Sequence, residues 1–353
     1  MKLKTIRDVN IKNKVVLVRA DFNVPIQDGE VLNDLRVRAE LPTLEFLREK
    51  GAKKIIIISH LGRPEGRDKN LSLKPVAEIL DRELGRVSFI DDVSGPDVEA
   101  KVQKMKAGEI LLLENLRFYK GEENNSRDFI QEIIDSTDAE IFVQDGFAVL
   151  HRAHASTDAV ADYLPVYAGL LVEKEVLNFE KVLEKPARPL VLIIGGAKVE
   201  DKAPLIDKFV NIADKIIVGG KIAADGYKAK SDKIYVAEDF DEDGAGTKLD
   251  VGPVSTVKIA DSITDAKTII WNGLLGKAED IAYATASTIV AELMGEKTDA
   301  ETIICGGDTT GFVESLLEDH PNLEYSLIST GGGASLEFLL GKELPGLVSL
   351  FAL

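Results

Sequence analysis

Twelve of the 13 arginines in this chain lie before residue 172, and several stand where an α/β protein does chemistry. Arg19, Asp21 and Asn23 follow the apolar run 14–18. His60 and Arg63 follow the run 54–59, Arg117 follows 109–113, and His151, Arg152 and His154 lie just beyond 140–144. Arg36 opens the helical pattern after the first run. Ligands in open α/β sheets gather beyond the carboxyl ends of the strands. Planar guanidinium forks converging there suit a small, multiply charged anion bearing carboxylate or phosphate, and Asp21 and Asn23 would serve its hydroxyls. Any one of these arginines taken alone reads more readily as a surface ion pair; four successive strand ends together favour a site.

The second half carries a different chemistry. Its apolar runs end in glycine: "GGAK" (195–198), "GG" (219–220), "NGLLG" (272–276), "GGDTTG" (306–311) and "STGGGAS" (329–335). Glycine lets backbone N–H groups turn toward an anion, and a helix start behind it adds partial positive charge. Lys198 and Lys202, four apart at a helix start, would reach phosphates resting on Gly195 and Gly196. Asp308 is a candidate magnesium ligand and equally a candidate helix N-cap. Neither G-x-G-x-x-G nor G-x-x-x-x-G-K-[ST] occurs, which speaks against a nicotinamide dehydrogenase and a Walker-type NTPase.

The elements that must position these residues are short Val/Ile-rich runs alternating with amphipathic helical stretches such as 35–50 and 73–84. Such continuous apolar runs predict parallel strands covered on both faces, hence βαβ units. A second series runs at 190–194, 215–218, 233–237, 268–271, 302–305 and 325–329, with a helical stretch at about 165–184 joining the two. The acidic "EDFDEDGAG" (238–246) reads as a solvated loop. With 353 residues and 45% hydrophobic content, two domains are the natural reading. The net charge of −17 argues against nucleic-acid or membrane-surface partners. That charge is uneven, −4 up to residue 171 and −13 beyond, and arginine is almost confined to the first part, so the halves should hold different ligands. One cysteine, Cys305, fits a reducing compartment, and neither a signal-peptide pattern nor a membrane-length apolar run is present; a cytoplasmic protein is expected. No large apolar patch is legible, and a monomer is the expectation.

The strings "VLVRADFNVP", "SHLGRP", "ENLRF", "HRAHAST", "GGAKVEDK", "WNG", "GGDT" and "STGGGASLE" resemble, in order and across nearly the whole chain, the phosphoglycerate kinase family. The resemblance implies a transferase of glycolysis that moves a phosphoryl group reversibly between ATP, as its magnesium complex, and the carboxylate of 3-phosphoglycerate. It implies two doubly wound parallel-sheet (Rossmann-like) domains joined by a helix and hinge. The expected boundaries are 1–165 for the phosphoglycerate domain, 166–189 for the connector and 190–339 for the nucleotide domain, with the tail 340–353 packing on the first.

By that resemblance Asp21, Asn23, Arg36, His60, Arg63, Arg117 and Arg152 match the phosphoglycerate site, to which the strand-end reading adds His151. The nucleotide set is Gly195, Gly196, Ala197, Lys198, Lys202, Gly220, Asn272, Glu279, Gly306, Gly307, Asp308 and Thr309, with Mg2+ on Asp308 and the phosphates. Arg36, Lys198 and Lys202 are the implied catalytic residues, with backbone donors at Gly307 and Gly332 and with hinge-bending closure. The chain departs from the family pattern at Ala148, Val149, Leu150, Lys221, Leu274, Ala278 and Cys305, and it is shorter after Lys230. The charged positions are kept. A member of the same fold that binds nucleotide with reduced or lost turnover is the alternative reading, and a generic α/β nucleotide enzyme is a third.

Overall fold

The structure is a computed structural model and describes residues 2–352. Its central apolar runs, Val15–Arg19, Lys54–Ile58, Ile141–Gln144, Leu190–Ile194 and Thr268–Asn272, form strands buried along their whole length, as sheets covered on both faces require. The first sheet holds β1 (Val15–Arg19), β2 (Lys54–Ile58), β3 (Val87–Phe89), β4 (Glu109–Leu112), β5 (Ile141–Gln144) and β6 (Val166–Ala168), all parallel, in the spatial order β3-β4-β2-β1-β5-β6. Around it run helices α1 (Leu35–Glu49), α2 (Lys74–Leu84), α3 (Pro96–Lys104) and α4 (Arg127–Thr137). The order reverses between β1 and β5, which opens a crevice at their carboxyl ends.

Helix α5 (Leu170–Glu184) leads into the second sheet. That sheet comprises β7 (Leu190–Ile194), β8 (Lys215–Val218), β9 (Ile234–Val236), β12 (Thr268–Asn272), β13 (Glu301–Cys305) and β14 (Leu327–Ile328), in the parallel order β9-β8-β7-β12-β13-β14, with a separate antiparallel pair, β10 (Phe240–Glu242) and β11 (Lys248–Val251). Its helices are α6 (Val199–Phe209), α7 (Gly220–Ala224), α8 (Pro253–Thr264), α9 (Thr285–Gly295), α10 (Gly307–Asp319) and α11 (Gly333–Leu339). Here the order reverses between β7 and β12. This is the two-domain, doubly wound architecture expected.

Two sequence readings change. Residues 166–168 do not begin the connecting helix: they pair with β5 as an edge strand, and α5 starts only at Leu170. The acidic segment 238–246 is not all loop, because Phe240–Glu242 pairs with Lys248–Val251, and Lys248 sits over the Phe240 ring at 4.6 Å. A run of carboxylates hides strand character when the strand buries only one aromatic residue.

The chain forms two compact units, Met1–Lys174 with Glu343–Leu353, and Glu175–Lys342. The division falls inside α5. Lys4 N–H donates to Leu350 O (2.7 Å) and Gly346 N–H to Leu150 O (3.0 Å), so the end of the chain is stitched onto the first unit.

Candidate functional site

The first unit gathers cations at the carboxyl ends of β1 and β2. Arg19, the last residue of β1, points inward and is 1% exposed. Its Nε donates to Ser156 Oγ (2.8 Å) and its Nη2 to His60 Nδ1 (3.1 Å). Ser156 in turn bonds Glu122 Oε1 (2.6 Å), a fully buried carboxylate whose charge offsets that of Arg19. Arg19 is therefore the floor of the site, not one of its free forks, because a buried guanidinium is retained only where acceptors surround it.

Above this floor, Arg36 from α1 forms an ion pair with Asp21 Oδ2, and Asp21 is buried. His60 lies 3.6 Å from Asp21 Oδ1. Burial, then the charges of Arg19, Arg117, Arg36 and Arg152, hold the His60 imidazole well below its ordinary pKa. Accepting from Arg19 at Nδ1, it is the neutral tautomer with its proton on Nε2. Arg117 donates to Gly62 O (2.6 Å), and burial brings its pKa down to about 10. Asn23 Oδ1 accepts from Gly62 N–H (2.9 Å), fixing the loop that presents the exposed Arg63. Arg152 Nε bonds His151 Nε2 (3.3 Å), and both side chains are half-buried. Thus Asp21, Arg36, His60, Arg117 and Arg152 form one cationic cluster, with Asn23 and Arg63 on two adjoining loops.

Sequence reading missed what lies beneath. Glu40 and Asp145 are both fully buried and hydrogen-bonded to each other, and each has one oxygen with no other partner. Glu40 Oε1 accepts from Asp21 N–H (2.9 Å), while Asp145 Oδ1 accepts from Leu171 and Val172 N–H (2.9 and 3.1 Å) at the start of α5. Two ionised carboxylates cannot share a dry cavity, so one proton bridges the orphaned oxygens. Burial and the facing Asp145 raise the Glu40 pKa well above the usual range, and burial raises that of Asp145. The signal was present in the sequence: Glu40 lies on the inward stripe of α1 with Val37, Leu44 and Leu47.

The buried histidines set an acid limit. Burial, then Arg117 and Arg152, lower the His154 pKa to about 4, whereas an unfolded histidine protonates near pH 6.5. This contribution to stability is complete above about pH 6.5 and is lost as pH falls toward 4. His60 acts in the same sense. Glu40 and Glu122, whose carboxyls burial pushes up, act in the opposite one. The test compares urea midpoints of wild type and His154→Gln at pH 7 and 4.5. Wild type should lose more stability than the variant over that interval, and equal losses would refute this account.

In the second unit the glycines play a different part from the one expected. A Cβ on Gly195 would stand 2.2 Å from Leu274 O, and one on Gly273 2.2 Å from Gly195 O. The N–H groups of Gly195 and Gly196 donate to Asn272 O (3.1 Å) and Leu274 O (2.7 Å). These glycines let the ends of β7 and β12 touch backbone to backbone, and their N–H groups do not cradle an anion. Thr309 is likewise buried, its hydroxyl accepting from Gly273 N–H (2.7 Å). The open donors lie at α10 instead, which begins after Gly306 with no side-chain cap, leaving the first-turn N–H groups of Gly307 and Asp308 facing an exposed edge. Gly306, not Asp308, occupies the cap, at φ +95°. Gly332 caps α11 at φ +52°, with open space beside its Cα.

Lys198 is exposed at the cap of α6, and Lys202, one turn on, is half-buried and bonded to Asn272 Oδ1. Burial lowers the Lys202 pKa. The Asn272 amide also meets Cys305 Sγ (3.2 Å), and burial raises that thiol to about 11, leaving it inert. Gly196, Ala197, Gly220, Glu279 and Asp308 line a cleft of about 260 Å³ with Lys221, Phe240, Lys248, Asp250 and Lys277, residues that motif reading did not assign to nucleotide. No cluster of three or more metal-ligating side chains occurs among the described residues. An exposed Asp308 alone fits magnesium that arrives on phosphates, since that ion commonly takes one protein carboxylate and keeps its other ligands from substrate and water.

The family model described as Phosphoglycerate kinase matches residues 6–238 and 224–342. A phosphoglycerate kinase of Dictyoglomus turgidum is 40% identical over 402 aligned positions covering 99% of both chains. A solved phosphoglycerate kinase of Coxiella burnetii is similar at TM-score 0.80 and 33% identity, covering 99% of each chain. One from Pyrococcus horikoshii is similar at TM-score 0.86 and 26% identity, covering 99% of this chain and 98% of that one. An alignment of 402 positions against 353 residues leaves at least 49 without a counterpart here. The two family matches overlap at 224–238, where the chain passes from α7 to β9 with no intervening helix.

Proposed function

The chain belongs to the phosphoglycerate kinase family, and from that premise we propose how its residues divide the work. It is a phosphotransferase that moves a phosphoryl group reversibly between ATP and the carboxylate of 3-phosphoglycerate, giving ADP and 1,3-bisphosphoglycerate. The observation that carries the assignment of roles is the cationic cluster around a neutral, buried His60. It supports binding of the phosphoglycerate by Arg63, Arg117 and Arg152, with Asn23, His60, His151 and the Asp21–Arg36 pair positioning its remaining oxygens.

The acceptor is a carboxylate, ionised near neutral pH with a pKa of about 4, so no general base has to remove a proton. Catalysis reduces to placement and charge neutralisation. Arg36, released from Asp21, would meet the equatorial oxygens of the phosphoryl group together with Lys198, Lys202 and the backbone N–H groups at Gly307 and Gly332. The nucleotide would lie in the cleft between Gly196, Ala197, Gly220 and Glu279, its phosphates running to the start of α10. Magnesium bound to those phosphates, with Asp308 beside it, would neutralise charge that the lysines leave uncovered.

A coupled assay with 3-phosphoglycerate and ATP tests the function. Turnover should require magnesium and vanish with a chelator. Nucleotide binding without any turnover would favour the inactive alternative.

With acceptor and nucleotide assigned to different units, transfer requires hinge-bending to exclude water from the acyl phosphate. Small-angle scattering should show a smaller radius of gyration with both substrates bound than with either alone; an unchanged radius would sink the hinge. We further propose a cytoplasmic monomer. In support, no helix among the described residues is long and apolar enough to cross a membrane, and Cys305 is a buried free thiol.

A further inference from the structure

The amino ends of β1 to β4, opposite the cationic cluster, carry charge that the reaction does not use. A depression of about 620 Å³ there is lined by Lys12, Arg48 and Arg86 with no carboxylate, in a chain whose net charge is −17. A neighbouring depression of about 270 Å³ shares Arg86 and adds Lys101, Lys104 and Glu109. Glu109, the one acidic residue in the two linings, already accepts from Lys106 N–H (2.9 Å).

Arg48 is a fixed wall of this depression: Nη1 and Nη2 donate to Leu84 O (2.8 Å) and Gly85 O (2.9 Å), and its Nε is buried without an acceptor. Lys12 and Arg86 are exposed and form no ion pair among the described residues. Like charges left unpaired around a concavity raise the local concentration of anions. Shape restricts the ligand. The N–H groups of Asn13, Ala52, Gly85 and Gly108 are all spent on backbone carbonyls, at 2.8 to 3.1 Å, so these four cannot form a backbone nest for a single phosphate. What remains is a spread of separate cationic side chains, which favours an anion with several charges along its length.

We propose that this face is a second anion site, taking a linear, multiply charged phosphate compound bridged between Lys12, Arg48 and Arg86. It is independent of the phosphoglycerate and nucleotide sites.

The test is calorimetric titration of inorganic tripolyphosphate into the full chain already saturated with 3-phosphoglycerate and ADP, without magnesium, so that both assigned sites are filled. The comparison variant is Lys12→Gln/Arg86→Asn. Both side chains are exposed, and asparagine tolerates the left-handed backbone at Arg86, φ +59°. Wild type should bind one tripolyphosphate, and orthophosphate at least tenfold more weakly. The variant should lose at least tenfold in affinity for tripolyphosphate while kcat/KM for 3-phosphoglycerate stays within twofold. No binding to wild type, equal affinity in the variant, or loss in Arg36→Ala instead would each overturn the proposal.

Discussion

Arg36→Ala is expected to lower kcat by roughly 10²–10³-fold, with a much smaller change in the KM for 3-phosphoglycerate. Arg36 stands at the cationic cluster and is paired with Asp21. Its fork is 30% exposed, and its removal would leave the Asp21 carboxylate, 2% exposed, without its ion-pair partner. A group parked on a carboxylate in the ground state and transferred to the phosphoryl oxygens in flight contributes mainly to the transition state, which is the condition for an effect on kcat. Denaturation in parallel separates the structural cost: losing the partner of Asp21 should reduce stability by about 1–3 kcal/mol. Arg36→Lys keeps a charge but not the planar fork and should recover little activity. Unchanged kcat in Arg36→Ala would remove this arginine from the mechanism.

Lys198→Ala is expected to reduce kcat by a similar factor while leaving stability within about 0.5 kcal/mol of wild type. Lys198 is exposed at the cap of α6 and is not committed to any partner that its loss would orphan. Lys202→Ala should behave differently. Its ammonium is half-buried against Asn272, whose amide also holds Cys305, so removing it should raise the KM for ATP and lower the melting temperature together. Steady-state kinetics and thermal unfolding of the two variants check the contrast. Identical behaviour of both would show that the four-residue spacing, not the different burial, governs them.

Motif and strand periodicity located the elements and the charged groups because both are local properties. A run such as Lys54–Ile58 is buried on both faces whatever it packs against, and an arginine after a strand is placed at the sheet edge by chain geometry alone. What the residues at those places do is not local. Arg19 and Arg36 look alike in sequence, yet one is sealed against Ser156 and Glu122 and the other stays part-exposed. Gly195 and Gly273 look like a phosphate cradle until their backbones are seen to touch. The proton shared by Glu40 and Asp145 needs two residues 105 apart in sequence, brought together in a dry interior. Residue type and spacing by themselves determined that this chain has an arginine-rich first half, a second half whose strand ends are glycine-rich, and two parallel sheets. Tertiary structure alone decided which charges face solvent, which N–H groups are spent and which carboxyls share a proton, because each depends on the distance between atoms that the chain order leaves far apart.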